Sequence, residues 1–190
     1  MHAGVPGEGR YARLEREQRW VLSGLPAGLN SPVAIEDRYI AGTRLRLRRM
    51  ELGPVVIYKL AQKVREGPLS PEVVKLTNMY LSEEEFAAFS VLSAAVIVKT
   101  RWRGTLAGRA MAVDELSGSL SGLCLAEVEL AAGEPRLGAG PEGAAADVTD
   151  DDRFSGGGLA RATPEEARQL LVYVASLAGH LGGTVGPPSP

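Results

Sequence analysis

The chain has 190 residues, a formal charge of −2, one cysteine and two histidines. That balance excludes the globally basic surface of most nucleic-acid binders. The lone Cys124 excludes an intrachain disulfide and fits a reducing compartment, and two histidines leave little for a His/Cys zinc site.

Residues 1–9 read as a flexible lead, 10–182 as a single domain and 183–190 as a disordered tail. Strands are predicted over 11–21, 39–50 and 54–64, with a hairpin turn at Gly53-Pro54, followed by loop through 65–71. A strand over 74–81 ends at Ser82, which forms a capping box with Glu85 and starts a helix through about Ser93. Strands follow over 95–103, 107–115 and 122–131, then an Ala/Gly/Pro-rich excursion over 132–146 that reads as flexible. Asp150–Asp152 reads as a solvated turn and Gly156–Gly158 as a mobile loop without P-loop spacing. Thr163 and Pro164 open a last helix with Leu170, Val174 and Leu177 on one face; it contains His180, read as structural or exposed. No basic leader with an apolar run and no membrane-length apolar stretch occurs, so a soluble cytoplasmic protein without membrane contact is expected.

Roughly seven or eight strands with few helices must stack or close, and closure removes exposed edges. Charges recur on these strands at every second position: Glu15, Glu17 and Arg19; Arg44, Arg46 and Arg48; Lys59 and Lys63; Lys99, Arg101 and Arg103; Glu127 and Glu129; and Asp147 after a gap. Residues i and i+2 share one face of a strand, so each set aims in one direction. With the apolar faces turned outward, the charged faces line an interior. A mainly β (α+β) fold with a few flanking helices is expected, and an eight-stranded barrel with a charged lumen could hold one small ligand.

Clustered carboxylates repel, and hard divalent cations relieve that repulsion through oxygen ligands. Arginine forks match phosphate oxygens bidentately, and lysines act as point charges. Each set alone also fits a solvated strand face. Acids and bases in one cavity point to a polyanion held with metal, with triphosphate as the natural candidate. RNA finds little support, because Tyr58 and Trp102 fall on the opposite parity from Lys59 and Arg101. Cys124 lies among apolar residues and reads as buried and inert; the serines lack a suitable histidine base.

Glu15-Arg16-Glu17-Gln18-Arg19 resembles the E-x-E-x-K signature of the CYTH superfamily, the triphosphate tunnel metalloenzymes. The resemblance continues in order through Gly42–Arg48, Tyr58-Lys59-Leu60, Asn78–Ser82, Lys99–Arg101, Val113-Asp114, Gly122–Leu130 and Asp147–Phe154. It implies an eight-stranded tunnel binding triphosphate and divalent metal, nearest to the short bacterial inorganic tripolyphosphatases. It also implies phosphate contacts from Arg44, Arg46, Lys59, Lys99 and Arg101, to which the charged faces add Arg48, Lys63 and Arg103. Glu15, Glu17, Glu127, Glu129 and Asp147 would hold Mg²⁺ or Mn²⁺, two ions in all, with Glu15, Glu17 and Arg19 as the catalytic group. Arg19 replaces the signature lysine and cannot serve as a proton donor at ordinary pH. Asp147 is one methylene shorter than the family's glutamate, and Ser155–Gly158 replaces a more polar segment.

The expected function is metal-dependent hydrolysis of inorganic tripolyphosphate to pyrophosphate and phosphate, with a small-molecule triphosphate as partner, no nucleic acid and room for a homodimer. Alternatives are a nucleoside or thiamine triphosphatase, a class IV-type adenylate cyclase, or a non-catalytic polyphosphate sensor.

Overall fold

The computed structural model describes residues 12–65 and 73–181; the predicted lead, the 183–190 tail and most of the 65–71 loop lie outside the described residues. Among the described residues nine antiparallel strands follow one another: β1 (Arg13–Leu22), β2 (Asn30–Ile40), β3 (Leu45–Leu52), β4 (Val55–Arg65), β5 (Val73–Leu81), β6 (Ala94–Leu106), β7 (Arg109–Leu116), β8 (Cys124–Glu129) and β9 (Ala144–Asp147). Their spatial order is β5-β4-β3-β2-β6-β7-β8-β1-β9, and a β5–β1 pairing closes an eight-stranded barrel. β1 serves two partners on the same edge. Its first half, Arg13–Arg16, pairs with β5, and its second half, from Trp20, pairs with β9 outside the closed ring.

The predicted strand over 39–50 is two strands, β2 and β3, joined by a turn in which Gly42 takes φ 70°. Most of β2 escapes a sequence reading because its inward positions are Val33, Ile35, Asp37 and Tyr39. A buried carboxylate interrupts the apolar alternation, and Glu36-Asp37-Arg38 looks like a polar loop.

Three apolar clusters flank the charged interior. Val21, Ile97, Leu116 and Leu125 meet Phe154, Leu159, Leu170 and Val174, so the last segments of the chain cover one end of the barrel. Trp20, Leu22, Met111, Val113 and Val128 form a second cluster on the opposite face of β1, β7 and β8. Helix α1 (Glu83–Ser90) covers the third, setting Phe86 and Phe89 over Ile40, Leu47 and Leu60. Its predicted capping box is present, and the helix stops at Ser90, earlier than predicted.

The excursion after β8 is not free chain. Leu137 N–H donates to Gln18 Oε1 at 2.7 Å, and Gln18 Nε2 donates to the Leu137 carbonyl at 3.2 Å. Leu137 and Ala144 pack over the second cluster, and the segment ends as β9. Burying Gln18 without those bonds would be costly, so they tie the segment to the outer wall.

Gly156–Gly158 is likewise ordered. It opens a short helix α2 (Gly156–Arg161), whose N-cap Ser155 accepts from Gly158 N–H. Tertiary contact overrides low helix propensity here. A Cβ on Gly158 would stand 2.2 Å from the Asp152 carbonyl oxygen, so only glycine allows this approach, and one on Gly156 would displace the Tyr39 hydroxyl. Helix α3 (Pro164–Leu181) starts with a reciprocal cap: Glu166 N–H donates to Thr163 Oγ1, and Thr163 N–H donates to Glu166 Oε2. Among the described residues no helix is long and apolar enough to cross a membrane.

Candidate functional site

Register decides which side chains share the lumen, because directly opposed residues in an antiparallel pair point the same way. Glu17 faces Glu129 and Arg19 faces Glu127 across β1–β8. Arg101 faces Asp114 across β6–β7. Asp37 faces Arg48 across β2–β3, and Arg48 faces Lys59 across β3–β4. The inward faces line a cavity of about 100 Å³ walled by Glu15, Glu17, Arg19, Arg46, Arg48, Lys63, Lys99, Arg101 and Glu127. A wider mouth of about 190 Å³ shares Glu17, Arg19, Tyr39, Arg46, Lys63 and Gly156 with it and adds Arg44, Thr149, Asp151 and Arg161.

Buried carboxylates hold much of the basic lining. Asp37 is fully buried and accepts from Arg48 Nε at 2.5 Å and Arg48 Nη2 at 2.6 Å, with Arg46 Nε at 3.6 Å and Lys99 Nζ at 3.8 Å. Burial alone would raise its pKa, but Arg48, Arg46 and Lys99 together hold it far below the usual carboxylate range. Asp114 accepts from Lys99 Nζ at 2.5 Å and from Arg101 Nε and Nη2 at 2.6 and 2.7 Å. Glu127 lies between Arg19 Nη2 and Arg101 Nη2, each 2.7 Å away; these cations outweigh burial and lower its pKa. Arg46 differs. Its Nε is buried and makes no hydrogen bond, with Asp37 at 3.6 Å as its nearest acid.

Glu17 titrates the other way. The negative charge of Glu127, followed by burial, raises its pKa despite nearby Lys63 and Arg19. A carboxylate pair under that strain, with only oxygen donors, suits a hard divalent cation that takes its remaining ligands from phosphate oxygens and water. Among the described residues no group of three or more His, Cys, Asp or Glu side chains forms a complete protein cage. The fit is therefore to an ion shared with a bound phosphate chain.

The other predicted site residues are spread along the tunnel. Lys63 Nζ stands 3.6 Å from Glu15. Lys59 lies over the Tyr80 ring at 4.8 Å. Arg44 is exposed in the β2–β3 turn at the mouth. Arg103 and Glu129 are exposed near the opposite ends of β6 and β8. Asp147 is not brought into the lumen. It pairs with Trp20, on the opposite face of β1 from Glu17 and Arg19, and accepts from Gln18 Nε2 at 2.7 Å and from Thr149 N–H at 2.9 Å. The reason is topological: β9 lies outside the closed ring, so matching parity does not reach the lumen.

Sequence reading missed Asp37, Asp114 as an ion-pair partner, Tyr39 and Arg161 as part of the lining. Alternation from Val33 to Tyr39 held a signal for Asp37; nothing local marked Arg161. Asp150 and Asp151 pair with Arg136 and Arg153 as an exposed turn. Burial pushes the Cys124 thiol up to about 11.

The chain closes into a barrel whose lumen carries both acidic and basic side chains. Its fold matches that of a CYTH domain. One solved structure, described as the hypothetical protein NE1496, shares 24% identity over 79% of this chain and 99% of its own, with a TM-score of 0.53. Another, described as the inorganic triphosphatase NE1496, shares 24% identity over 79% and 96%, with a TM-score of 0.52. No family model and no curated protein matches the sequence.

Proposed function

We propose that this protein is a metal-dependent triphosphatase that hydrolyses inorganic tripolyphosphate to pyrophosphate and phosphate inside the tunnel. The observation that carries the reading is the lumen itself: Arg46, with an unbonded buried Nε, beside Arg48, Lys99 and Arg101, opposite the Glu17–Glu127 pair. The solved structure described as an inorganic triphosphatase supports the same class.

In this reading Arg46, Arg48, Lys63, Lys99 and Arg101 bind and orient the phosphate chain, and their fixed charge favours the charge that builds in phosphoryl transfer. Glu17 and Glu127 would hold the divalent ion, Mg²⁺ or Mn²⁺, which when bound neutralises phosphate charge and lowers the pKa of water. Arg19 reaches both glutamates, at 3.5 Å to Glu17 and 2.7 Å to Glu127, and positions them. Water adds to the terminal phosphorus, the bridging P–O bond breaks, and pyrophosphate leaves with that electron pair. Tyr39 is the one aromatic side chain in the described mouth lining, and its hydroxyl is packed against Gly156, which favours an inorganic chain over a nucleotide.

One observation favours a second reading. Glu127 is already held by two guanidinium groups, so an ion must compete for it, as in a binding protein that does not turn over. Phosphate release from tripolyphosphate, ATP and thiamine triphosphate, with Mg²⁺, Mn²⁺ or EDTA, separates the two. Metal-dependent release from tripolyphosphate, lost in Glu17→Gln, is expected. Saturable binding with no product under any condition would overturn the enzyme reading in favour of a sensor.

A further inference from the structure

Arg153 and Arg136, in the cavity that shares Asp151 and Asp152 with the mouth, are neutralised by Asp151 and Asp150. Arg44 and Arg161 are not. Both are exposed, both line the mouth, and among the described residues neither forms an ion pair. They come from different walls, Arg44 from the β2–β3 turn and Arg161 from the end of α2. Arg161 is seated by its surroundings. Its guanidinium lies over Gly157, where a Cβ would stand 3.1 Å from Nη2. Directly inward of both is Arg46, whose Nε makes no hydrogen bond and which lines the mouth and the inner cavity alike. Guanidinium groups thus continue outward from the lumen, from Arg46 beside Asp37 to Arg44 and Arg161, into a mouth roomier than the inner cavity.

We propose that Arg161, with Arg44, forms an outer anion subsite for phosphoryl groups beyond those held in the lumen, so that the protein engages linear polyphosphates longer than three units by one end. This inference rests on the triphosphatase reading, which places the chain end in the tunnel. The chemistry is that of a linear phosphate chain: arginine forks take successive non-bridging oxygens, and each added phosphoryl group brings further negative charge to the unpaired cations. The mouth also carries Asp151 and Asp152; Asp151 is bonded to Arg153, and Arg44, Arg46 and Arg161 outnumber the other aspartate for an incoming anion.

The test is calorimetric binding to the full-length protein in EDTA, using tripolyphosphate and linear pentaphosphate with wild type, Arg161→Gln and Arg48→Gln. Three overlapping placements of a three-unit window on five units account for only about a threefold preference, so the subsite requires about tenfold or more, the scale of one charge-assisted contact. Arg161→Gln is expected to bring the preference down to about threefold while tripolyphosphate affinity stays within about twofold. Arg48→Gln should weaken both ligands together. A wild-type preference of threefold or less would overturn the outer subsite, as would equal weakening of both ligands by Arg161→Gln. Those outcomes leave the lumen reading intact. Failure of tripolyphosphate to bind wild type, or indifference to Arg48→Gln, is a different result and would overturn the lumen reading first.

Discussion

Two parts of the same tunnel use positive charge in opposite ways. On the inner wall, Arg48 is bonded to Asp37, Lys99 and Arg101 to Asp114, and Arg19 and Arg101 to Glu127. Toward the mouth, Arg46 Nε makes no hydrogen bond and only nears Asp37 at 3.6 Å, while Arg44 and Arg161 form no ion pair among the described residues. The paired cations are fixed before any ligand arrives, so little reorganisation is needed when charge develops. In the proposed reading, those toward the mouth supply the field that draws an anion in. Shape and attraction are thus assigned to different residues, and substitutions should separate them.

The largest effect should come from breaking the paired side. Asp37→Asn leaves Arg48 buried without a counter-charge, a loss of about 3–5 kcal/mol, which lowers the melting temperature by roughly 6–20 °C in a chain of this size. A melting temperature within about 2 °C of wild type would mean that the buried pair does not organise the wall. Glu17→Gln should act on activity instead. Removing a carboxylate held against Glu127 should cut tripolyphosphate turnover by about a hundredfold or more, while relief of the repulsion raises the melting temperature by about 2 °C. Steady-state kinetics beside a thermal scan would read both, and a drop in both would place Glu17 among the structural residues.

Arg46→Gln sharpens the contrast from the mouth side. Losing a guanidinium whose Nε makes no hydrogen bond should weaken tripolyphosphate binding about tenfold, and because Arg48 still holds Asp37 the stability change should stay below that of Asp37→Asn, measured by calorimetry and urea unfolding. A stability loss as large as that of Asp37→Asn would erase the distinction between the two regions.

Acid gives the smallest and most gradual effect. The pKa of Asp37 is depressed in the fold, so its contribution is fully present above its unfolded value of about 4 and is lost as pH falls toward the folded value. Glu127 and Asp114 shift in the same direction. Urea midpoints should therefore decline steadily below about pH 4, and the slope should be shallower in Asp37→Asn.

Much of this barrel was legible in the chain because a strand has a period of two. Glu15, Glu17 and Arg19, like Arg46 and Arg48, must share a face whatever surrounds them. The capping box at Ser82 and the apolar stripe Leu170-Val174-Leu177 are equally local. Asp37 was missed because a buried carboxylate in a strand makes sense only with its partner Arg48, eleven residues away in sequence and directly opposite in space. Gly156–Gly158 was misread because propensity favours loop there, while the close approach of the Asp152 carbonyl favours a glycine helix.

Local chemistry therefore determined the strands, their charged faces and the class of ligand those faces suit. Closure alone decided which faces meet. By pairing β1 with β5 along one half and β9 along the other, the tertiary fold turned Glu17 inward and left Asp147 outside. It also set α2 across the mouth and brought Arg161 beside the lumen, from more than a hundred residues beyond the turn that carries Arg44. The physical reason is that alternation fixes direction relative to one strand, whereas a cavity is fixed by the long-range pairing that no short window of sequence contains.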